Sequence, residues 1–478
     1  MKTFLLTIFS LSLIIASALE GEEMMLSLGN AIDSALVRNH RIQQQEEVVL
    51  QKEYLNSAAV GNFLPSVDLF AGYTYLSDNP AFNTEKIKES IDDMFGDYGA
   101  VMAKKLGLSP WTQQMIHDEI VEGLSELPSY DIEIDQKKYA NANLVLTQPL
   151  FLGGEVVAGK RYALAELELA HEDLVKIKNE VINDVIQRYL SAILLGDVVR
   201  LREEVLSGME EHEAQAKRAI EIGVISPPEI IRAQVAVANA ERELQDAKNE
   251  HTLAVSALRT LLGLPAYTSL NLYTPLQFKD VALDLVDLKE RALTKNSILK
   301  TIDQKQRMAE QAFAVERAGF LPKILAVGEY NIIRKNYPMV LPRYSVGVQL
   351  EMNLFHGFKK VNELKSAKHL IREVKIAKQY AESEIMLLVE DLYYKTQNSK
   401  TRYLKLIPTV NLAKKNLSID EKRFLEGLGT SLEVIDARML YSAAAIERML
   451  SLYEYYSSLS KLYMTLGEPN EIVQLLQK

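Results

Sequence analysis

Proline is distributed very unevenly along this chain, and its scarcity in two long stretches constrains the fold more than any other feature. There is no proline between Pro149 and Pro227, and the stretch from Pro342 to Pro469 contains only Pro408. Both stretches are rich in Ala, Leu, Glu, Lys, Arg and Gln, which favour helices. Each therefore predicts a helix of about 66 residues, roughly 100 Å long. Apolar residues in the first stretch are spaced in threes and fours, which is typical of a coiled coil: Leu167, Ala170, Leu174, Ile177 and Val181.

Short motifs recur in the same order, which indicates that the chain contains two copies of one unit. Ala59–Pro65 resembles Glu316–Pro322 at an offset of 257 residues, and Leu150–Gly153 resembles Leu354–Gly357 at an offset of 204. The difference between these offsets predicts an insert in the first copy, within residues 77–138. The offset of 204 also relates three residues near the predicted helical turns: Gly223 to Gly427, Glu229 to Glu433, and Ala233 to Ala437.

The remaining elements follow from the glycine and proline positions and from alternating polarity. The two repeats span residues 19–267 and 281–467, with equatorial or terminal segments at 264–282 and 468–478. Predicted helices fall at about 27–60, 154–220, 228–262, 283–318, 359–424 and 432–466. Period-two alternation predicts strands at about 64–76, 139–149, 321–333 and 344–354.

The first 18 residues have the features of a secretory signal peptide. Met1–Lys2 provides a positive start, Phe4–Ile15 is apolar, and Ala16–Ala18 forms a small-x-small cleavage pattern. The alternative is an N-terminal membrane anchor, but this apolar run is too short to span a bilayer comfortably. Because the chain has no cysteine, it cannot carry a lipoprotein anchor. No later stretch has 18 consecutive apolar residues, so we expect no transmembrane helix in the mature chain.

The predicted strands have one apolar face and tyrosines near their ends, which is typical of outer-membrane barrel strands. The alternative is a soluble, half-buried hairpin. Four strands cannot close a barrel, because even the smallest barrels have eight. We therefore expect the strands to be shared between subunits, and three chains would supply twelve.

Composition and motifs argue against several kinds of activity. The net charge of −10 opposes nucleic-acid binding, which requires a basic field. The seven histidines are scattered, and Glu210–Glu213, which contains His212, is interpreted as a charged helix face rather than a ligand set. Gly154–Arg161 resembles a phosphate-binding loop, but Arg161 replaces the Ser or Thr that would bind Mg²⁺. We expect no enzyme activity, no cofactor and no metal site.

Several segments together resemble TolC-like outer-membrane efflux proteins. Leu26–His40 resembles their opening helix, and Phe63–Pro65, Gln148–Gly154 and the duplicated Gly-x5-Glu-x3-Ala turns resemble other landmarks. The resemblance covers nearly the whole mature chain. It implies a mainly α fold with a membrane β portion. Three chains would form a twelve-stranded transmembrane β-barrel in the outer membrane and a long coiled-coil α-barrel in the periplasm.

The resemblance also implies partners and site residues at the helical tips. In this family acidic residues of the second tip line the pore constriction, and here they match Glu433 and Asp436, with Glu229 as the counterpart in the first tip, opposite Arg232. The alternative is that these residues are solvated or simply favour a helix N-terminus. The tip of this family often has an arginine shortly after the glycine, which ties the closed state by ion pairs, and here that position is Gly429. Possible substitutes in an ion-pair latch are Lys422, Arg423 and Arg438.

The predicted function is that of a passive homotrimeric duct, gated at its periplasmic tips, in a tripartite efflux or type I secretion system. The implied partners are a periplasmic adaptor (membrane fusion protein), an inner-membrane pump of the RND, ABC or MFS type, and outer-membrane lipid. The alternative is a periplasmic coiled-coil adaptor or structural protein of an envelope export complex.

The insert is expected outside the cell, with a helix that begins at Ser109–Trp111 and reaches about Leu124. Candidate adaptor-docking residues at the tips are Gly223, Val224, Ser226, Gly427, Leu428, Gly429 and Thr430.

Overall fold

The computed structural model describes residues 23–79, 81–83, 85–126, 131–133, 137–223, 225–273, 276–333 and 342–477. The predicted signal peptide and Val224 lie outside these residues. The chain divides into two compact units. Of the described residues, those within 23–59, 157–316 and 358–477 form a helical unit, and those within 60–156 and 317–357 form a sheet unit.

The described elements follow one another in this chain order: β1 (Glu23–Leu26), α1 (Leu28–Arg38), α2 (His40–Gly61), β2 (Ser66–Tyr75), β3 (Ala81–Asn83), α3 (Glu85–Lys105), α4 (Pro110–Ser125), β4 (Asp131–Glu133), β5 (Lys138–Leu152), α5 (Glu155–Glu221), α6 (Pro227–Leu261), β6 (Ser269–Leu272), α7 (Leu285–Lys295), α8 (Ser297–Ala318), β7 (Lys323–Ile333), β8 (Tyr344–Glu351), α9 (Lys359–Leu425), α10 (Ser431–Thr465) and α11 (Asn470–Gln477).

The helical unit is dominated by two hairpins, each of which joins a 67-residue helix to a 35-residue helix: α5 to α6 and α9 to α10. Gly223 and Gly427 follow the two long helices with φ of 77° and 72°, a left-handed conformation that favours glycine. Pro227 begins α6, where its missing N–H has no intrahelical partner to lose. Helix α9 continues through Pro408, which provides no N–H for the backbone hydrogen bond at that position.

The structure corrects the prediction of one helix over 27–60 and another over 283–318, because each is divided in two at an asparagine. Asn39 separates α1 from α2, and Asn296 separates α7 from α8. Asn39 Nδ2 donates to the backbone oxygen of Leu261 at 2.9 Å, while its Oδ1 accepts from the N–H of Arg41. These side-chain bonds replace intrahelical ones, so the chain can change direction without leaving buried polar groups unpaired.

The largest buried cluster of the helical unit surrounds the segments that link the two repeats. Tyr189 and Tyr456 are fully buried, and their hydroxyls donate to the backbone oxygens of Leu26 and Gln277 at 2.9 and 2.6 Å. Strands β1 and β6 form a parallel pair in this region. Residues 264–282 and 468–478 therefore contain β6 and α11, two elements that sequence patterning did not predict.

The sheet unit contains a four-stranded antiparallel sheet in the order β2-β5-β7-β8. Its register pairs Leu69 with Leu144 and Gly328 with Val346. Both edge strands, β2 and β8, are exposed along their whole length. Large apolar side chains on these edges face solvent in the single chain: Val67, Leu69, Tyr73, Tyr344, Val346 and Val348.

The insert between β2 and β5 contains a short antiparallel pair, β3 and β4, and a helical pair, α3 and α4. Ser109 caps α4 by accepting a hydrogen bond from the N–H of Thr112, and Pro110 occupies the first helical turn. The sequence predicts only this second helix, and α3 is an addition. Within the described ranges, no helix is both long and apolar enough to cross a membrane.

Candidate functional site at the helical tips

The second tip, residues 426–430 between α9 and α10, is fixed by backbone hydrogen bonds at both of its ends. The N–H groups of Gly427 and Leu428 donate to the backbone oxygens of Phe424 and Arg423, a Schellman arrangement that ends α9. At the start of α10, Thr430 Oγ1 accepts from the N–H of Glu433 at 3.3 Å. Glu433 Oε2 accepts in return from the N–H of Thr430 at 2.8 Å, which completes a capping box.

Glu433 caps the N-terminus of α10 within its own chain. This agrees with the alternative interpretation, in which the residue favours a helix N-terminus. The hydrogen bond from the Thr430 backbone, with a contribution from the charge of Arg423, lowers the pKa of the Glu433 carboxyl. Arg423 Nη1 lies 3.7 Å from Glu433 Oε1, and Arg423 Nη2 donates to the backbone oxygen of Leu428. Arg423, one of the three possible latch residues, therefore contacts the second tip of its own chain. Asp436, one turn further along α10, is exposed.

Glu229 joins the first tip, residues 222–226, to the second. Its Oε2 accepts a hydrogen bond from the backbone N–H of Ser431 at 3.1 Å, and its Oε1 accepts from Arg232 at 2.9 Å. The Ser431 N–H is one of the first-turn donors of α10 that have no intrahelical acceptor. The carboxylate also lies where the helix dipole favours negative charge. The structure therefore brings Glu229 of the first tip to the start of α10.

His212 is buried beneath the second tip, which corrects its interpretation as part of a charged helix face. Its Nε2 lies 2.7 Å from Ser431 Oγ, and its ring contacts the edge of Phe424 with centroids 4.5 Å apart. Burial, with a smaller contribution from the charge of Arg438, lowers the pKa of His212 to about 4. Its imidazole is therefore neutral at neutral pH and accommodates a buried position between the two hairpins.

Arg438 of α10 contacts both long helices, α5 and α9, close to His212. Its guanidinium forms an ion pair with Glu421 of α9 and lies directly over Gly208 of α5. A Cβ on Gly208 would overlap this guanidinium, so the absence of a side chain makes the approach possible. A glycine inside a long helical pattern is the sequence signal that could have located this contact.

Most of the predicted docking residues that the structure describes are exposed at the two tips. Gly223, Ser226 and Gly427 are exposed, as is the large apolar side chain of Leu428. Ile222, which the sequence analysis did not select, is also largely exposed. Gly429 is confined, because a Cβ there would lie 3.2 Å from both Glu433 Oε2 and the Phe424 backbone nitrogen.

Two duplicated helical hairpins that are hydrogen-bonded to each other at their tips, and a four-stranded sheet with two open edges, are the features that characterise this protein. Comparison with known proteins shows the class to which these features belong. The outer membrane efflux protein family matches residues 121–264 and 288–468, and the chain belongs to that family. Two separate matched segments accord with the duplication in the sequence. The resemblance to TolC-like proteins, the outer-membrane location and the role as an outer-membrane channel component are confirmed.

Individual relatives are distant in sequence. Alkaline protease secretion protein AprF of Pseudomonas aeruginosa is 22% identical over 337 residues, which cover 69% of this chain and 70% of AprF. Cobalt-zinc-cadmium resistance protein CzcC of Cupriavidus metallidurans is 28% identical over 132 residues, which cover 28% of this chain and 32% of CzcC. These relatives are secretion and resistance proteins.

The fold itself is shared with solved channels. The structure of the Campylobacter jejuni CmeC outer membrane channel superimposes with a TM-score of 0.72 at 13% identity, covering 94% of this chain and 89% of CmeC. The predicted fold class, mainly helical with a small strand portion and two repeats, is thereby confirmed.

Proposed function

We propose that three copies of this chain assemble into one passive duct, in which each copy supplies four strands of a twelve-stranded barrel. The observation that carries this proposal is the sheet with two exposed edge strands, β2 and β8. Within the described residues neither edge has a second partner strand, although each presents unpaired backbone groups and apolar side chains. Pairing β2 of one copy with β8 of the next would satisfy both edges.

The tips form the gate of this duct. Glu229, Ser431 and His212 tie the first hairpin to the second within one chain, which supports a closed arrangement that must separate for passage. A ring of three Asp436 carboxylates, supplemented by Glu433, would make the constriction attractive to cations. Glu229, the counterpart in the first tip, would add to this constriction and also hold the second tip in place through its hydrogen bond from the Ser431 N–H.

The exposed tip residues are the proposed docking surface for a periplasmic adaptor. This surface exposes backbone groups at four small residues: Gly223, Ser226, Gly427 and Thr430. The exposed side chain of Leu428 provides an apolar anchor for the partner. An inner-membrane pump of the RND, ABC or MFS type would supply the energy, because the chain itself is proposed to have no catalytic role. The names of AprF and CzcC support export of a protein or of metal ions as the two cargo classes to test first.

Two measurements test the duct. Mature protein extracted from outer membranes should have the mass of three chains, and it should give cation-selective conductance in a planar bilayer. A protein released by washing, with no conductance, would instead favour the alternative of a periplasmic coiled-coil adaptor. Deleting the gene and screening for loss of protease secretion and for metal sensitivity would separate the two cargo classes.

A further inference from the structure

The insert carries an apolar surface that its own helical pair leaves uncovered. Helix α3 packs on α4 through small or polar residues one and two turns apart: Asp92, Gly96, Gly99 and Ala103. A Cβ on Gly96 would lie 2.7 Å from Val121 Cγ2, so the two helices approach closely along this side. The narrow packing face leaves most of the circumference of α3 exposed.

A second face of α3 is apolar and exposed. Its members are spaced in threes and fours, as on one side of a helix: Ile91, Phe95, Tyr98 and Met102, flanked by Met94 and Val101. Lys105 continues the same face at the end of the helix and is exposed. A row of this many large apolar side chains is unusual on a surface that stays in water. We call it the α3 stripe.

Helix α4 presents a surface of complementary character on the side away from α3. Trp111, 74% exposed, and Met115 lie one turn apart and line a shallow depression of about 470 Å³. Gln114 and three carboxylates complete its lining: Asp118, Glu119 and Glu122. The depression is therefore apolar and acidic, whereas the α3 stripe is apolar and ends in a lysine.

We propose that the α3 stripe of one copy of this chain packs into the α4 depression of the next copy. This inference rests on the proposed trimer. The two surfaces match in apolar character and are opposite in charge, but they lie on different helices, so the contact is head-to-tail and can close into a ring. The insert also follows directly after β2, the edge strand that the proposed assembly pairs with a neighbouring copy. Three such contacts would join the three inserts beyond the sheet.

Disulfide cross-linking tests this contact cleanly because the natural chain has no cysteine. Mild oxidation of the double variant Tyr98→Cys with Met115→Cys should link neighbouring copies, giving covalent dimers and trimers on a non-reducing gel. Each single variant should remain monomeric on the gel. The matched control is Asp93→Cys with Met115→Cys, since Asp93 is exposed on the polar face of α3, and it should also remain monomeric.

A charge exchange provides a second measurement. Lys105→Glu should lower the temperature at which the trimer dissociates, and adding Glu122→Lys should restore it. Cross-linking of the single variant Tyr98→Cys would overturn the inference, because a disulfide between two copies of Cys at this position can form only if α3 of one copy contacts α3 of another. Absence of cross-linking in a protein that still has the mass of three chains would overturn the inference and leave the duct intact. Loss of the trimer in the unmodified protein would overturn both.

Discussion

The carboxylate of Glu229 accepts a hydrogen bond from the backbone N–H of Ser431, 202 positions later in the sequence. A residue of the first repeat thus caps α10, a helix of the second repeat. The neighbouring contact of His212 Nε2 with Ser431 Oγ, at 2.7 Å, joins the same two hairpins through a side chain. Ser431 is therefore the point at which the two tips are tied within one chain.

Glu229→Ala should loosen the second tip. Losing this carboxylate leaves the Ser431 N–H without its acceptor, at a cost of about 1 kcal/mol, which is typical for a lost cap. Hydrogen exchange at Ser431 and the following residues should become faster, and the open fraction in single-channel records should rise. Glu221→Ala is the matched control, because Glu221 is an exposed carboxylate at the end of α5. Unchanged exchange in Glu229→Ala would contradict the capping role.

The tips were only partly predictable from the sequence. The 204-residue offset located Glu229 and Glu433, and local spacing placed Glu229 opposite Arg232, which it does contact. The bond from Glu229 to Ser431 could not be predicted, because no local pattern specifies which turn lies beside which. The burial of His212 could not be predicted for the same reason. Its sequence neighbours are charged, and it is buried by residues of the adjacent hairpin.

In the fold as well, features set by neighbouring residues were predictable, whereas features set by contacts distant in sequence were not. Glycine and proline positions predicted the long helices within a few residues, because the chain's own backbone chemistry determines where helices end. The breaks at Asn39 and Asn296 were missed, since each asparagine is stabilised by a carbonyl from a distant helix end. Their 257-residue offset was the available signal, as it matched the offset of the neighbouring motifs.

Asn296→Ala should destabilise the helical unit more than Asn296→Ser. The asparagine Nδ2 donates to the buried oxygen of Thr465 at 2.7 Å, and its Oδ1 accepts from the N–H groups of Ile298 and Leu299. Serine keeps a neutral acceptor for these N–H groups and loses only the donor, whereas alanine loses both. We expect about 1–3 kcal/mol for each buried group left unpaired. Thermal unfolding followed by circular dichroism would rank the two variants, and equal melting temperatures would contradict this account.

Gly208→Ala should stabilise the helical unit less than Gly159→Ala, although both replace a glycine of α5 by a better helix former. At Gly208 the new methyl group would displace the Arg438 guanidinium, the flexible end of that side chain, and weaken its ion pair with Glu421. Gly159→Ala has open space around the added Cβ, so it should stabilise by about 0.5–1 kcal/mol. The difference between the two melting temperatures measures the cost of moving Arg438, and equal shifts would show that Arg438 does not depend on its approach to Gly208.

The proposed selectivity ring can be divided between its two acidic residues. Asp436→Asn should lower the cation preference of the pore more than Glu433→Gln, because the charge of Glu433 is already partly balanced by Arg423 at 3.7 Å. Reversal potentials across a salt gradient measure this preference, with Glu221→Gln as a control for charge removed elsewhere. Equal selectivity in all three variants would remove Asp436 from the constriction.

Acidification should weaken the contact between the tips through His212. Burial lowers the pKa of this imidazole from 6.5 to about 4, so between these values the unfolded chain binds a proton that the folded chain excludes. Stability is therefore fully present above pH 6.5 and falls as the pH decreases toward 4, by up to about 1.4 kcal/mol per pH unit. Protonation would also place a second positive charge beside Arg438, next to Ser431 and Phe424.

His212→Gln separates this effect from general acid denaturation. Glutamine keeps a polar group for Ser431 but does not titrate, so its melting temperature should decline less between pH 6.5 and pH 4 than that of the natural protein. His171 lies in the same long helix and is exposed, and His171→Gln is therefore the matched control that should retain the natural pH profile. Since the carboxylates titrate identically in all three proteins, only the difference between the profiles reports on His212. Parallel profiles for the natural protein and His212→Gln would mean that the tip stays closed whether or not this buried histidine is charged.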